Sequence, residues 1–135
     1  MAEYKKQVSA AVKSEVSPRQ MCGQPASKGY YTGKAKIIRN NDDLAAFKLG
    51  EILICDAIEP QMTYIIALAG AIVERRGGML IHGAIIAREF SIPCVNGVDN
   101  ILNHISDGDE ITVDGYLGIV TLGKADFDLE FRKIV

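Results

Sequence analysis

Apolar and polar residues along the chain follow helical spacing at the start and shorter, strand-like runs later. Over residues 2–16 the apolar positions recur every three or four residues in a polar background, which predicts an amphipathic helix. Ser17 and Pro18 then end it. This helix is interpreted either as a packing helix or as an element that docks on a partner or forms a dimer.

The remaining sequence predicts short strands alternating with helices. Strands are predicted at 33–39, 51–56, 71–74 and 93–95, and a closing hairpin at 110–113 and 116–122 around Asp114 and Gly115. Helices are predicted from a cap at Asn41 or Asp42 to Gly50, over 61–69 after Pro60, from His82 onward, and over 99–105. Because antiparallel pairing comes late, the pattern alone predicts a mixed α/β fold.

Composition narrows the class of protein. A chain of 135 residues with 48% hydrophobic and 24% charged residues has ordinary globular composition and room for one domain. A formal charge of -2 argues against nucleic-acid binding and against an anionic membrane surface. The three cysteines are far apart and have no ligand-like spacing, so zinc and disulfides are not expected. With no signal-like or membrane-spanning apolar stretch, the sequence predicts a cytoplasmic protein.

The candidate chemistry lies in residues 77–97, GGMLIHGAIIAREFSIPCVNG, where His82 stands between a glycine pair and a predicted helix. A helix N-terminus has unpaired N–H groups and partial positive charge, so it favours a phosphoryl group on a histidine there. Gly77 and Gly78 permit a turn with positive φ and a close approach of an anion to the backbone. The pattern therefore indicates that His82 carries phosphate.

At this stretch the sequence resembles the phosphohistidine, or swivelling, domain of phosphoenolpyruvate-utilising enzymes. That family includes pyruvate phosphate dikinase, phosphoenolpyruvate synthase and enzyme I of the sugar phosphotransferase system. Its pattern is roughly GG-x-T-S-H-x-(A/S)-I-x-A-R-(E/G/S)-x-x-x-P-x-V-x-G. The matching residues are Gly77, Gly78, His82, Ile85, Ala87, Arg88, Glu89, Pro93, Val95 and Gly97.

The resemblance extends outward in both directions. Gly23, Ala26, Ser27 and Gly29 resemble the opening G-x-x-A-S-x-G of the family, and DGDEITVDGYLGIV at 107–120 resembles its closing hairpin. The resemblance implies a three-layer β/β/α swivelling domain over 20–122, preceded by a helix or linker at 1–19 and followed by a tail at 123–135.

The same resemblance implies roles for residues and partners. His82 would be the catalytic residue, Gly77, Gly78, Gly83 and Arg88 would bind phosphate, and no metal ligand is expected. Magnesium and ATP or phosphoenolpyruvate are expected on partner domains, namely an ATP-grasp domain and a phosphoenolpyruvate- or pyruvate-binding barrel. These would act in trans or on a longer chain, so this chain by itself is not expected to be an active enzyme.

One departure from the family pattern leaves alternatives open. Leu80 and Ile81 stand where the family has Thr-Ser or Thr-Cys, whose hydroxyls can bind phosphate. Backbone N–H groups could suffice, transfer could be slow, or the fold could persist as a non-catalytic interaction module. A small-ligand domain that uses the glycine turn as an anion nest explains the glycines but not His82.

Charged residues near the motif have simpler interpretations as well. Glu74 is expected to orient the histidine loop rather than to act as a base, because phosphoryl transfer requires mainly positioning and charge stabilisation. Arg75 and Arg76 could add positive potential for an incoming phosphodonor or be an exposed pair on a turn. His104 is expected to be a solvated residue on a short helix.

Overall fold

The computed structural model describes residues 19–77 and 82–123. The predicted helix at 2–16 and all of the predicted tail except Gly123 lie outside these ranges. Over the same ranges no helix has both the length and the apolar character needed to cross a membrane. The strands are β1 (Gln20–Cys22), β2 (Gln24–Ser27), β3 (Tyr30–Ile37), β4 (Ile52–Cys55), β5 (Ala71–Glu74), β6 (Cys94–Asn96), β7 (Glu110–Asp114) and β8 (Ile119–Leu122). The α-helices are α1 (Asn41–Ala45), α2 (Thr63–Ile66), α3 (His82–Glu89) and α4 (Ile101–His104).

These strands form one mixed sheet in the order β1-β8-β7-β3-β4-β5-β6-β2. Strand β3 joins its two halves, because Tyr30–Lys34 pairs antiparallel with β7 and Ala35–Ile37 pairs parallel with β4. Strands β4, β5 and β6 continue in parallel, and β2 closes that end antiparallel to β6. The three parallel strands have helical connections between them, as parallel neighbours require.

Side chains alternate between two cores across the parallel half of the sheet. On β4, Leu53 and Cys55 pack with the apolar residues of α1, α2 and α3, whereas Ile52 and Ile54 belong to the opposite core. That second core also contains Ile111, Val113 and Val120 from β7 and β8. The layers are therefore helices, parallel sheet and antiparallel sheet, which agrees with the predicted β/β/α architecture.

Gly23 connects the two ends of the sheet. It is the single residue between β1, which pairs with β8, and β2, which pairs with β6. Its N–H donates to the Gly118 carbonyl over 2.8 Å. A Cβ at this position would overlap the Asn96 carbonyl oxygen and lie 2.7 Å from Cγ2 of Val98. A side chain at residue 23 would therefore be crowded where the chain crosses from one end of the sheet to the other.

Several predicted boundaries were wrong at the ends of the elements. Helix α1 is capped by Asn40, whose side chain accepts a hydrogen bond from the Asp43 N–H, rather than by Asn41 or Asp42. It ends at Ala45, well before Gly50. The helix predicted at 61–69 is a 3₁₀ turn at Pro60–Met62 followed by α2, and the strand predicted at 33–39 begins earlier and is β3. Strands β1 and β2 were not predicted.

The predicted two-residue hairpin turn at Asp114 and Gly115 was also wrong. Asp114 pairs with Ile119 as the last pair of the ladder, so the turn contains the four residues 115–118. The Asp114 side chain accepts the N–H groups of Tyr116 and Leu117, and Gly118 supplies the positive φ of 74°. A side chain that satisfies two turn N–H groups stabilises this longer turn.

Gly23→Ala is expected to lower the free energy of unfolding by about 1 to 3 kcal/mol, because the added methyl group meets backbone as well as side chains. Urea unfolding followed by circular dichroism measures this change. The exposed neighbour Cys22→Ala is the matched control and should change stability by less than about 0.5 kcal/mol. Equal stability of the two variants would contradict the tight crossing at Gly23.

Candidate functional site

The candidate site lies at the carboxyl edge of the parallel strands. Strands β4 and β5 run parallel, so Asp56 after β4 and Arg75 after β5 leave the sheet at the same edge. Helix α3 returns from this edge, and its first residue is His82. Open α/β sheets place their ligand sites at such edges.

His82 is exposed, while the residues that follow it pack against the sheet. Gly83, Ala84, Ile86 and Ala87 are the buried residues of α3. The imidazole therefore stands at the helix N-terminus on the solvent side, and Ile85, 42% exposed, lies one turn further along the same face. Backbone N–H groups of a first helical turn lack intrahelical partners and favour an anion.

Gly77 precedes the histidine loop and packs directly against Gly97. A Cβ on Gly77 would lie 3.3 Å from the Gly97 Cα and 3.2 Å from the Gln24 side-chain oxygen. The Gly97 N–H also donates to the Arg76 carbonyl over 2.9 Å. Gly77 does not adopt the positive φ that a glycine permits, whereas Gly97 does, with φ of 71°. Gly77 provides close backbone approach instead.

The other predicted residues of the loop, Gly78, Leu80 and Ile81, lie outside the described residues. Their predicted roles therefore stay predictions. The loop begins at Gly77 and ends at His82, both of which the structure describes, so its two ends are fixed by the packing around β5 and α3.

Gly83, in the first turn of α3, rests on the side chain of Glu74. A Cβ on Gly83 would overlap Oε1 of Glu74 and lie 2.7 Å from Cγ1 of Ile58. The other carboxyl oxygen, Oε2, accepts the Ile58 N–H over 3.0 Å. Glu74 thus contacts both the loop after β4 and the turn that carries His82. Its role in orienting the histidine loop stays a prediction.

Glu74 is a buried carboxyl group in an apolar surrounding. Its exposed fraction is 0%, and Oε1 has no hydrogen-bond partner in the part of the chain that the structure describes. Burial raises the pKa of Glu74 above its ordinary value. Burial, followed by the charge of Glu74, raises the pKa of the thiols of Cys55 and Cys94 as well.

Arg75 and Arg76 form ion pairs with a single carboxylate. Asp56 binds Nε of Arg75 through Oδ1 and Nε of Arg76 through Oδ2, the latter at 2.8 Å. The hydrogen bond from Arg75, together with both guanidinium charges, lowers the pKa of Asp56. Two cations and one anion leave a net charge of about +1 beside the glycine turn. Sequence reasoning missed Asp56, although its position directly after a strand parallel to β5 is a usable signal.

Arg88 contacts β2 at the far end of α3. Its Nε donates to the Ala26 carbonyl over 2.7 Å. Arg88 is six positions after His82 on the helix, a rise of about 9 Å along the axis. The structure thus places Gly83 with His82 in the first turn, whereas the Arg88 side chain anchors the last turn. Phosphate binding by Arg88 stays a prediction.

Comparison with known proteins shows which family has this arrangement of strands and helix. A family model described as the mobile domain of PEP-utilising enzymes matches residues 47–118. The chain is 43% identical over 100 residues to the Bacillus subtilis (strain 168) protein named uncharacterized phosphotransferase YvkC, covering 74% of this chain and 12% of that protein. It is 41% identical over 102 residues to a phosphoenolpyruvate synthase of Aquifex aeolicus (strain VF5), covering 73% of this chain and 12% of the synthase.

A solved structure gives the same result at the level of the fold. The solution structure of an Enzyme I protein superposes with a TM-score of 0.55 and 28% identity, covering 67% of this chain and 38% of the other. In each of these comparisons the chain spans well under half of the length of the protein that it matches. The shared part contains β4 to β6, α3 and His82.

Gly83→Ala is expected to destabilise the protein by about 1 to 3 kcal/mol, although alanine is the better helix former by about 1 kcal/mol. The reason is that the new methyl group overlaps the buried Glu74 carboxyl group. Thermal and urea unfolding measure the change, with Ile85→Ala on the exposed face of α3 as control. A stabilised Gly83→Ala variant would mean that Glu74 does not pack against this turn.

Proposed function

Because the chain belongs to the mobile-domain family of PEP-utilising enzymes, we propose that it is a phosphocarrier in which His82 accepts and passes on a phosphoryl group. The observation that carries the proposal is the exposed position of His82 as the first residue of α3. A partner can reach the imidazole there, and the phosphoryl group would meet the helix N-terminus.

The transfer step needs little from the protein beyond position and charge. A ring nitrogen of neutral His82 attacks phosphorus with its lone pair, and an N–P bond forms. The bond from phosphorus to the donor oxygen breaks, and its electron pair leaves with the donor. Delivery to the acceptor reverses these changes. The helix N-terminus favours the anionic product by about 0.3 to 1 kcal/mol.

The arginine pair supports the same role. Arg76 has a 64% exposed side chain, and Arg75 a 39% exposed one, beside the turn that leads to His82. Asp56 neutralises only one of the two charges. The remaining positive charge would attract an anionic phosphodonor and speed encounter, and this effect would weaken as salt screens it.

Partners follow from the lengths of the relatives. The chain spans about 12% of the phosphotransferase and of the synthase that it matches. We propose that an ATP-grasp domain and a phosphoenolpyruvate- or pyruvate-binding barrel, which hold magnesium and nucleotide, supply the donor and acceptor sites. On one polypeptide, tethering would raise the effective concentration at each site to about the millimolar range.

A second candidate is a non-catalytic interaction module that retains the fold. Two observations favour it: Leu80 and Ile81 replace hydroxyl residues of the family pattern, and Ile85 exposes apolar surface beside His82. The retained Gly77, His82 and Arg88 favour the carrier. Phosphorylation of His82 distinguishes the two functions.

His82 is expected to take up one phosphoryl group when the chain is mixed with ATP or phosphoenolpyruvate and the partner domains encoded with it. Intact-mass spectrometry and radiolabel measure the uptake, and the label should be acid-labile and base-stable, as a phosphoramidate is. His82→Ala should abolish labelling.

The only other histidine, His104, provides the matched control for this labelling. His104→Ala should label as fully as the parent chain, because His104 lies on α4 rather than at the candidate site. Equal labelling of the His82→Ala variant and the parent chain would reject the carrier role, and absence of label from both would favour the interaction module.

Restoring hydroxyls with Leu80→Thr and Ile81→Ser is expected to speed labelling about tenfold or to lengthen the life of the product. A hydrogen bond to a charged acceptor contributes about 1.5 to 3 kcal/mol. Loss of apolar burial could oppose this by about 1.5 to 3 kcal/mol for each residue. Labelling rate and unfolding free energy are therefore measured separately, and a folded variant that labels no faster would show that these hydroxyls are irrelevant here.

A further inference from the structure

Glu74 is a buried ionisable side chain that packs against the turn that carries His82. Its carboxyl group is fully buried at the end of β5, one oxygen is bound to the Ile58 N–H, and the other touches the backbone of Gly83. That second oxygen has no hydrogen-bond partner among residues 19–77 and 82–123. A buried polar atom of this kind requires a physical explanation.

We propose that Glu74 is a positioning residue for His82, whose carboxyl group supports the first turn of α3 and gains one proton when His82 becomes phosphorylated. This inference rests on the proposed phosphocarrier function and extends it, because it assigns a regulating partner to the same site. Glu74 touches neither donor nor acceptor, and it acts only through the turn that it supports.

The charges balance in the following way. A PO₃⁻ group added to the neutral imidazole brings one negative charge to the start of α3. A carboxylate beneath the same turn is then repelled by that charge, and water screens this repulsion only partly because Glu74 is buried. Uptake of one proton from the solvent by the carboxylate removes that repulsion. The N–P bond and the proton thus arrive together, without any oxidant or cofactor.

Few charged groups compete for this role. The thiols of Cys55 on β4 and Cys94 on β6 border the carboxyl group, and burial raises the pKa of both. Other charged groups act on these thiols, namely Asp56 and Glu59 on Cys55 and Arg88 on Cys94. Neutral thiols do not share a proton with the carboxyl group, so Glu74 is the group that responds.

The sign of the pH dependence follows from this coupling. Burial already raises the pKa of Glu74, and phosphorylation raises it further. At pH values between the pKa of Glu74 in the unphosphorylated chain and its pKa in the phosphorylated chain, Glu74 takes up a proton when His82 is phosphorylated. The phosphorylated form therefore becomes less favourable as pH rises through this range. At pH values below both, Glu74 is neutral in either state and the dependence disappears.

The test uses phosphoramidate, which phosphorylates histidine without an enzyme: the P–N bond of the reagent breaks, ammonia leaves, and the imidazole nitrogen takes its place. The chain carries His104→Gln, so only His82 reacts, and its glutamates are labelled with ¹³C at the carboxyl carbon. The signal absent from Glu74→Gln identifies Glu74. Titration by NMR then gives its pKa before and after labelling, with mass spectrometry confirming one phosphoryl group.

We expect phosphorylation to raise the pKa of Glu74 by about 1. The same reagent on the chain that also carries His82→Gln should leave that pKa unchanged. Glu74→Gln keeps an oxygen that accepts the Ile58 N–H, so this variant should fold normally. Its side chain does not titrate. At pH values above those at which acid hydrolyses phosphohistidine, the lifetime of its phosphohistidine should therefore no longer depend on pH. A pKa of Glu74 that stays the same on full labelling of His82 would overturn the proposal.

The outcome is separable from that of the proposed function. Phosphoramidate phosphorylates His82 without a partner protein. The change in the pKa of Glu74 can therefore be measured even if no partner enzyme phosphorylates the chain. The decision then rests on the parent chain and on Glu74→Gln, whose melting temperature should match that of the parent within about 2 °C.

Discussion

Strand β3 is the constraint on which the rest of the structure depends. Its first residues hydrogen-bond to β7 and its last residues to β4, so one strand belongs to the antiparallel and the parallel halves of the sheet. Because the partner changes within the strand, the two halves can stack with a shared apolar core between them. Helices α1 to α3 cover the opposite face of the parallel half. The carboxyl edge of that half contains the candidate site.

The candidate site at that edge combines the exposed imidazole of His82 with the buried carboxyl group of Glu74. His82 gains access because Gly83, Ala84 and Ala87 bring the helix close to the sheet, and the small residue at 83 leaves room for a carboxyl group beneath it. A carboxyl group in such a place is costly unless it is neutral or well bonded. Glu74 has one hydrogen bond from the backbone, and burial of its charged form raises its pKa.

Much of the fold was predictable because its central elements have strong local patterns. The apolar runs of β4 and β5 and the start of α3 at His82 were predicted from periodicity and from the glycine pair. Strands β1 and β2 were missed because they are three and four residues long, with exposed polar residues and a proline, and so are too short for a period of two to be recognised. Propensity carries little information for such edge strands.

The location of the candidate site was predictable where its residues are neighbours in the sequence, and less so where two distant segments meet. His82 and Gly83 follow from a single stretch of sequence. The pairing of Asp56 with Arg75 and Arg76 depends on which strands are neighbours, which the sequence pattern does not state. Gly77 shows a different limit, since a glycine needed for close packing and one needed for positive φ look the same in a sequence.

The crossing at Gly23 also bears on aggregation. Edge strands offer unpaired backbone groups that can recruit further strands from other molecules. Here one segment of eight residues, 20–27, supplies both edge strands, one on each half of the sheet. Detachment of that segment would uncover β8 and β6 at the same moment, giving two new templates on one molecule. A molecule with two unpaired strand edges can bind one further molecule at each edge, which allows a fibre to form. The resistance of this domain to fibre formation therefore depends on how firmly residues 20–27 stay paired.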